Sequence, residues 1–300
     1  MDSLLKFGID LGGTKTEIIA MDGGGRELLR HRVPTLSFDY QAIVGSIRDL
    51  VLGAERELGL TGTVGVGAPG AVSIASGRLK NSNTACLNGQ PLKQDLGQAL
   101  DREVRLANDA NCFALSEAVD GAGVGAEVVF GVILGTGVGG GIVVNGKIIE
   151  GANSIAGEWG HNPLAVAEAD SPARRCYCGR TGCVETWLSG PGFAADHAAC
   201  DAGGLTSKQV ASLALAGDPA ASDSLRRYES RLARALASVI NILDPQVIVL
   251  GGGLSNIDSL YAHLPELLRP HVFSDRIDTR IVKNRHGDSS GVRGAAWLWN

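Results

Sequence analysis

The chain has 300 residues and a formal net charge of −5, and this length is enough for two domains with separate hydrophobic cores. The acidic balance provides no basic surface for nucleic acid, and no apolar run is long enough to cross a membrane. Because the first six residues are too few for a signal peptide, we expect a cytoplasmic protein.

The first predicted elements are two strands joined by a glycine-rich turn. Apolar residues lead up to Leu11, Gly12 and Gly13 follow, and a second apolar strand is predicted over residues 16–21. A tight turn is predicted at Asp22-Gly23. Because glycine lacks Cβ, backbone N–H groups in such a loop can approach an anion, so the loop can bind phosphate.

The same pattern recurs 123 positions later, which predicts two related lobes. A second apolar strand is predicted at residues 141–144, with a tight turn at Asn145-Gly146. The repeated positions are Phe7, Gly8, Leu11, Gly12 and Gly23, which return as Phe130, Gly131, Leu134, Gly135 and Gly146. The simplest ligand for two such loops is a nucleoside triphosphate between the lobes.

Both glycine loops resemble better-known motifs but lack the helix that these motifs require. Residues 135–140 fit the dinucleotide pattern G-x-G-x-x-G, yet a strand is predicted to follow. Residues 8–16 resemble a P-loop, but Thr14 separates Gly13 from Lys15, and again no helix follows. Ordinary hairpin turns without a ligand remain the alternative.

The next predicted elements are a strand at residues 104–107 and a helix at residues 110–119. Asn108 and Asp109 stand between them. An aspartate at this position can simply be the N-cap of the helix, and the residues by themselves require no more than that.

A cluster of cysteines predicts a metal site. Cys176, Cys178 and Cys183 lie within eight residues, and His161 lies upstream. Three thiolates and one imidazole make a closed tetrahedral zinc site, which has no open position for catalysis. A disulfide or unligated thiols are the alternatives, although Cys176 and Cys178 are too close for a comfortable bridge and a cytosolic chain would stay reduced. The remaining cysteines, predicted to be core or surface thiols, are Cys86, Cys112 and Cys200.

The last third of the chain predicts two helices and a buried strand. Residues 224–243 carry apolar side chains at helical spacing up to Asp244-Pro245, and residues 261–268 form a second helix that stops before Pro270. The strand at residues 247–250 runs into three glycines at 251–253. Backbone could pass close to adenosine there, and a plain strand-to-helix turn is the alternative.

Together these motifs resemble the ROK family of sugar kinases and repressors. The segments that carry the resemblance are GIDLGGTKT (8–16), LANDAN (106–111), GTGVGGG (135–141), GEWGH (157–161), CYCGRTGCVE (176–185) and ILDPQVIVLGGG (242–253). The resemblance implies an α/β protein with the actin-like ATPase (ribonuclease H-like) fold, in which two lobes enclose a central cleft. Residues 105–122 and 286–299 look most like bacterial fructokinases that also accept mannose.

The resemblance implies an ATP-dependent hexose kinase that converts D-fructose to fructose 6-phosphate. In that reaction Asp109 is the implied general base for the attacking hydroxyl. The implied sugar-binding residues are Asn83, Asn108, Asp109, Glu158, His161 and Glu185. Asn81 and Asn88 are close to Asn83 and leave that assignment open. His161 has two implied tasks, since one ring nitrogen can ligate zinc while the other contacts a sugar hydroxyl.

The resemblance also implies a nucleotide site with Mg²⁺ bridging the β- and γ-phosphates. Its implied residues are Asp10, Gly12, Gly13, Thr14, Lys15, Gly135, Thr136, Gly137, Gly139, Gly252 and Gly253. Asp10 is the nearest carboxylate for the Mg²⁺ ion, although it could equally accept turn N–H groups at the end of its strand. A side chain at Gly137 is expected to weaken ATP binding. Structural zinc on His161, Cys176, Cys178 and Cys183 is expected to orient the sugar pocket.

The predicted organisation is a small lobe at residues 1–117, a large lobe at 118–283 and a C-terminal segment at 284–300 that returns to the small lobe. A ROK glucokinase or N-acetylglucosamine kinase is the alternative activity. A repressor would need a helix-turn-helix module before Gly8, where we expect no room for one. A catalytically silent sensor is disfavoured by Asp109 and both glycine loops. The expected partners are a hexose and ATP, without nucleic acid or membrane, and a homodimer is left open.

Overall fold

The structure is a computed structural model that describes residues 5–164, 174–200 and 203–300. Its contacts divide the chain into two compact units. Unit 1 comprises Met1–Val124, Gly141–Ala156 and Asp288–Asn300, and unit 2 comprises Gly125–Gly140 and Gly157–Gly287. The predicted lobes stay a prediction, and the units differ from them in that residues 141–156 group with unit 1 rather than with the rest of 118–283.

Strands and helices alternate along much of the chain, as expected of an α/β protein. The strands are β1 Leu5–Leu11, β2 Lys15–Met21, β3 Glu27–Pro34, β4 Gly62–Ala68, β5 Ala71–Val72, β6 Leu79–Lys80, β7 Val104–Asn108, β8 Val128–Leu134, β9 Val138–Val144, β10 Lys147–Ile148, β11 Val247–Gly251 and β12 Arg280–Lys283. The α-helices are α1 Tyr40–Leu58, α2 Leu92–Leu100, α3 Asp109–Val119, α4 Glu185–Leu188, α5 Gly190–Ala198, α6 Ser207–Leu215, α7 Pro219–Leu243, α8 Ser259–Leu268 and α9 Ser290–Trp297. No helix within the described ranges is long and apolar enough to span a bilayer.

The two five-stranded sheets have the same topology, which confirms the internal repeat. Their strand orders are β3-β2-β1-β4-β7 and β10-β9-β8-β11-β12. In the first sheet β1 is antiparallel to β2 and parallel to β4. In the second sheet β8 is parallel to β11, which is parallel to β12. The strands that carry the repeated residues, β1 and β8, therefore occupy the central position of each sheet.

The turns that close the two hairpins differ from each other. Asn145 and Gly146 have φ angles of 50° and 72°, so the predicted tight turn between β9 and β10 is confirmed. A tight turn does begin at Asp22-Gly23, since the N–H of Gly25 donates to the carbonyl oxygen of Asp22 at 3.0 Å, but the whole loop is longer, because β2 ends at Met21 and β3 begins only at Glu27. The Asp22 carboxylate accepts hydrogen bonds from the backbone N–H groups of Gly24 and Arg26, at 3.0 and 2.9 Å, and this stabilises the longer loop.

In unit 1, α9 lies directly on the sheet because glycine stands at the contact points. A Cβ at Gly8 would lie 2.1 Å from the carbonyl oxygen of Val292, and one at Gly65 would lie 1.9 Å from that of Ala295. No side chain fits in those spaces. The glycine at position 8 thus allows close packing of helix and strand.

Unit 2 contains the long amphipathic helix predicted near residue 230. Helix α7 begins at Pro219, one and a half turns before the predicted start, because Asp218 caps it by accepting from the N–H of Ala221 at 2.8 Å. It ends at Asp244, whose φ of 46° is left-handed. Leu232 and Leu236 are fully buried, so the apolar stripe is core, as predicted.

Candidate functional site

Asp109 follows the carboxyl end of β7, the edge strand that runs parallel to β4 in unit 1. Strand β7 ends at Asn108, and α3 begins at Asp109. The side chain of Asn108 accepts hydrogen bonds from the N–H groups of Ala110 and Asn111, so Asn108 is the N-cap. The interpretation of Asp109 as the N-cap is therefore wrong. Asp109 occupies the first helical position, where the helix dipole stabilises its negative charge.

Asn108 uses both ends of its amide in the fold. While its oxygen caps α3, its Nδ2 donates to the carbonyl oxygen of Gly70 at 2.9 Å. Because the amide is held from both sides, Asn108 and the adjoining Asp109 have fixed positions at the end of β7. Both residues are half-buried, so their side chains are accessible to a small ligand.

Asp10 at the end of β1 lies in the electrostatic field of Asp109. Burial, the charge of Asp109 and the charge of Glu17 raise the pKa of Asp10 to about 7, and Lys15 and Arg32 oppose this only in part. Glu17 is buried and is paired with Arg30 at 2.9 Å and with Arg32. A buried carboxylate near a second carboxylate suits a divalent cation, and Mg²⁺ prefers such oxygen ligands together with water and phosphate oxygens.

The first glycine loop joins β1 to β2 without any helix, as predicted. The N–H of Gly12 donates to the carbonyl oxygen of Lys15 at 3.0 Å, which closes the turn. Gly13 and Thr14 are exposed at its tip. The loop therefore presents backbone to solvent, in the form that an anion could approach.

Three neighbouring asparagines are all exposed, and the structure gives two of them, Asn81 and Asn88, a place in the loop itself. Asn88 holds the loop together, since its side chain accepts from the N–H of Ser82 and donates to the Ser82 carbonyl, both at 2.8 Å. Asn81 has a φ of 59°, a turn conformation that asparagine tolerates. The assignment of Asn83 to the sugar stays a prediction.

The second glycine loop, in unit 2, is built around Glu185. The carboxylate of Glu185 accepts from the N–H of Val138 at 3.0 Å. A Cβ at Gly137 would lie 2.7 Å from Glu185 Oε2, so glycine is needed there to admit the carboxylate. The missing side chain of Gly137 thus makes room for Glu185, and the assignment of Gly137 to phosphate stays a prediction.

A cavity of about 1260 Å³ in unit 2 brings the second glycine loop and the triple-glycine turn together. Gly135, Thr136 and Gly253 line it. Gly252, with a φ of 81°, lies against β8, since a Cβ there would be 2.5 Å from the carbonyl oxygen of Leu134. The volume is ample for a nucleotide. Further lining residues that the sequence did not identify are Pro191, Lys208, Arg226, Glu229 and His263.

The four predicted zinc ligands converge in unit 2. One potential ligand atom from each of His161, Cys176, Cys178 and Cys183 lies within 4.8 Å of all the others. The Sγ atoms of Cys178 and Cys183 are 3.7 Å apart, and Cys176 Sγ is 3.7 Å from His161 Nδ1. A tetrahedron with Zn–S bonds of about 2.3 Å has edges of about 3.8 Å. The residues therefore fit zinc, and all three thiols are free rather than disulfide-bonded.

A buried turn places Glu158 and His161 next to the second glycine loop. Trp159 between them is buried, and its Nε1 donates to the carbonyl oxygen of Gly139 at 2.9 Å. A Cβ at Gly160 would lie 2.1 Å from the carbonyl oxygen of Val138, so the turn packs directly on the second glycine loop. Glu158, His161 and Glu185 are thereby placed around the same loop of unit 2.

Tyr177 is a residue of this group that the sequence did not single out. Its hydroxyl is 3.1 Å from His161 Nε2, and the two rings meet edge to face. Although most of the Tyr177 side chain is exposed, partial desolvation, followed by the charges of Glu185, Cys176 and Glu158, raises the pKa of Tyr177 to about 12. Only its position between two cysteines could have drawn attention to it.

A comparison with known proteins places this arrangement in a family. The model of the ROK family matches residues 6–300. The chain belongs to the ROK family. It is 42% identical over 297 residues to an N-acetyl-D-glucosamine kinase of Salmonella gallinarum, which covers 97% of this chain and 98% of the relative. The corresponding kinase of Escherichia coli O1:K1 has the same identity and coverage.

Solved ROK structures confirm the actin-like ATPase fold that the resemblance implied. A ROK hexokinase from Thermus thermophilus superposes with a TM-score of 0.87 at 30% identity and covers 98% of this chain and 97% of its own. A ROK glucokinase from Streptomyces griseus, solved with glucose and AMPPNP, gives a TM-score of 0.80 at 29% identity with 98% coverage of both chains. These relatives do not confirm the predicted likeness to fructokinases.

Proposed function

We propose that this ROK protein is an ATP-dependent sugar kinase whose acceptor is N-acetyl-D-glucosamine. The observation that carries the proposal is the 42% identity to N-acetyl-D-glucosamine kinases over nearly the full length of both chains. The residues support the kinase class because each unit supplies part of what phosphoryl transfer needs, namely a positioned carboxylate in unit 1 and a nucleotide-sized cavity in unit 2.

Asp109 acts as the general base in this proposal. The sugar hydroxyl oxygen attacks the γ-phosphorus of ATP, its proton passes to the Asp109 carboxylate, and the bond to the β-phosphate oxygen breaks to release ADP. Mg²⁺ neutralises the phosphate oxygens when bound, and Asp10 is the carboxylate that would hold the ion or its waters. Gly12, Gly13, Thr14 and Lys15 would approach the phosphates from unit 1.

The adenosine cavity and the rest of the phosphate site belong to unit 2. Gly135, Thr136 and Gly139 would contribute backbone to the phosphates, and Gly252 and Gly253 would lie beside the nucleoside. Gly137 contributes indirectly through Glu185. The cationic side chains of Lys208 and Arg226, which line the same cavity, would favour an anionic ligand there.

The sugar would be bound by side chains that can each make several hydrogen bonds. Asn83, Asn108 and Asp109 supply these groups in unit 1, and Glu158, His161 and Glu185 supply them in unit 2. Zinc on His161, Cys176, Cys178 and Cys183 would fix the tautomer of His161 and anchor the loop that leads to Glu185. With four protein ligands the metal has no open position, so its role is structural.

The acceptor can be identified with an ADP-release assay on N-acetylglucosamine, fructose, mannose and glucose. We expect the highest kcat/KM with N-acetylglucosamine. The segments at residues 105–122 and 286–299 favour fructose as the second candidate, and a preference for fructose would replace the acceptor while leaving the kinase class intact. Sugar binding without any ADP release would instead indicate a silent sensor and would refute the kinase proposal.

A further inference from the structure

The imidazole of His161 has different partners on its two sides. Nδ1 lies 3.7 Å from Cys176 Sγ and faces the thiol cluster. Nε2 lies 3.1 Å from the hydroxyl of Tyr177, whose ring packs edge to face on the imidazole at a centroid distance of 5.3 Å. The nitrogen that the proposed function assigns to a sugar hydroxyl is thus already hydrogen-bonded within the protein.

Zinc bound to the four ligands would fix the direction of this hydrogen bond. When Nδ1 ligates zinc, the ring proton is on Nε2, which then donates to the Tyr177 oxygen. A single N–H makes one well-aligned hydrogen bond, so a sugar hydroxyl and the Tyr177 hydroxyl compete for it. The Tyr177 hydroxyl and a sugar hydroxyl would also have the same neighbours. Glu158 and Glu185, which are proposed to bind the sugar, lie close enough to Tyr177 for their charges to act on its hydroxyl.

We propose that Tyr177 takes the place of a sugar hydroxyl on His161 while the site is empty and is displaced when the sugar binds. This inference rests on the proposed function. Tyr177 is 82% exposed, so moving its ring breaks few packing contacts. Every sugar that binds His161 must first replace this hydrogen bond, so Tyr177 lowers sugar affinity. Sugars with a hydroxyl that can make the same bond to His161 lose less affinity than sugars without one. Tyr177 is therefore a positioning residue.

The test is Tyr177→Phe, which keeps the ring and removes only the hydroxyl. We expect sugar to bind about two- to ten-fold more tightly to the zinc-loaded variant in calorimetry without nucleotide, the equivalent of one net hydrogen bond. KM for sugar should fall in parallel, while kcat and the zinc content stay unchanged. Unchanged or weaker sugar binding would overturn the proposal.

A matched control removes another phenolic hydroxyl. Tyr40 donates to Asp95 in unit 1, outside the candidate sugar residues, so Tyr40→Phe should leave sugar affinity unchanged. Monodeoxy analogues of the preferred sugar extend the test. For the analogue that lacks the hydroxyl bound by His161, wild type and Tyr177→Phe should bind equally, because Tyr177 is then not displaced. If wild type and Tyr177→Phe differed by the same factor in affinity for every analogue, Tyr177 would not be displaced by the sugar hydroxyl.

A measurement without sugar separates this inference from the proposed function. In zinc-loaded protein with ¹⁵N-labelled histidine, the Nε2 proton of His161 should give a slowly exchanging resonance that disappears in Tyr177→Phe. Absence of this resonance in the wild type would refute the inference even if the protein is a sugar kinase. Conversely, a protein that shows the resonance but phosphorylates no sugar would refute only the kinase proposal.

Discussion

At the scale of single residues, Asp109 had two interpretations, as the N-cap of α3 and as a general base. The capping task belongs to Asn108, so removing the Asp109 charge should leave the start of α3 intact. We predict that Asp109→Asn lowers kcat by about 10²–10⁴-fold with a smaller change in KM, because the base is lost but the shape is kept. Steady-state kinetics measures both, and thermal unfolding checks the fold. A folded variant with normal kcat would show that another group accepts the proton.

Asp10 predicts a dependence of stability on pH. Its pKa is about 7 in the folded protein and 3.8 in the unfolded chain, so between these values the folded state binds more protons. Stability is therefore highest with Asp10 protonated and falls as pH rises towards 7. From about pH 5.5 to pH 8.5, wild type should lose about 2 kcal/mol of unfolding free energy relative to Asp10→Asn.

Denaturant titrations at the two pH values measure this difference. Asp22→Asn is the control, because backbone N–H groups of Arg26 and Gly24 lower the pKa of Asp22, which therefore stays ionised over that range in both states. If wild type and Asp10→Asn change in parallel, Asp10 is not the residue that titrates.

Gly137 and Gly135 provide a matched pair for the role of the second loop. A Cβ at Gly137 would lie 2.7 Å from Glu185 Oε2, whereas one at Gly135 would have no neighbour closer than 3.9 Å. We predict that Gly137→Ala displaces Glu185 and raises sugar KM severalfold, while Gly135→Ala leaves sugar KM nearly unchanged. Should Gly137→Ala raise only the KM for ATP, the original assignment of Gly137 to phosphate would be correct.

At the scale of elements, the proposed zinc site would connect two described segments of unit 2. Zinc on its four ligands would link His161 to the segment that enters α4 at Glu185. Replacing Cys178 by Ser should release zinc and raise sugar KM, while nucleotide affinity, set by the glycine loops, changes little. Elemental analysis and separate KM values test this. Cys200→Ser, outside the cluster, is the control. An unchanged sugar KM in zinc-free Cys178→Ser would show that the metal stabilises the loop without influencing the sugar site.

Elements with a local signal were predictable from the sequence, and those that depend on distant packing were not. Leu232 and Leu236 lie on one face of α7, and the cysteine spacing alone was sufficient to indicate the cluster. The turn at Asp22-Gly23 was predictable from its residues, whereas the extra length of the loop was not, because it depends on hydrogen bonds from the N–H groups of Gly24 and Arg26 to the Asp22 side chain. The walls of the large cavity come from α5, α6, α7 and α8 together, and no short segment contains that information.

At the scale of the whole molecule, the repeat was visible because glycine recurs at equivalent positions of the two hairpins. Strands β1 and β8 share a central position in sheets of the same order. The sequence did not show that residues 141–156 would group with unit 1, since chain order gives no indication of which unit a segment joins. That grouping arises from packing, such as the approach of Gly141 to Ala110, whose carbonyl oxygen would lie 2.5 Å from a Cβ.

The C-terminal helix shows that the core of unit 1 is built from residues that are far apart in the sequence. Helix α9 packs on α3 at Gly294, where a Cβ would lie 1.6 Å from the carbonyl oxygen of Cys112. We predict that Gly294→Ala lowers the unfolding free energy by about 3 kcal/mol or more, because α9 must move away from α3 to admit one methyl group.

Gly45→Ala is the matched control for this substitution, because Gly45 lies in α1 with no atom within 4 Å of the added Cβ. It should be neutral or stabilise the protein by up to about 1 kcal/mol, since alanine is the better helix former. Denaturant unfolding of both variants measures the difference. Equal stability of Gly294→Ala and wild type would mean that α9 does not pack tightly on α3, and the close approach of α9 to β1 and β4 would then be in doubt as well.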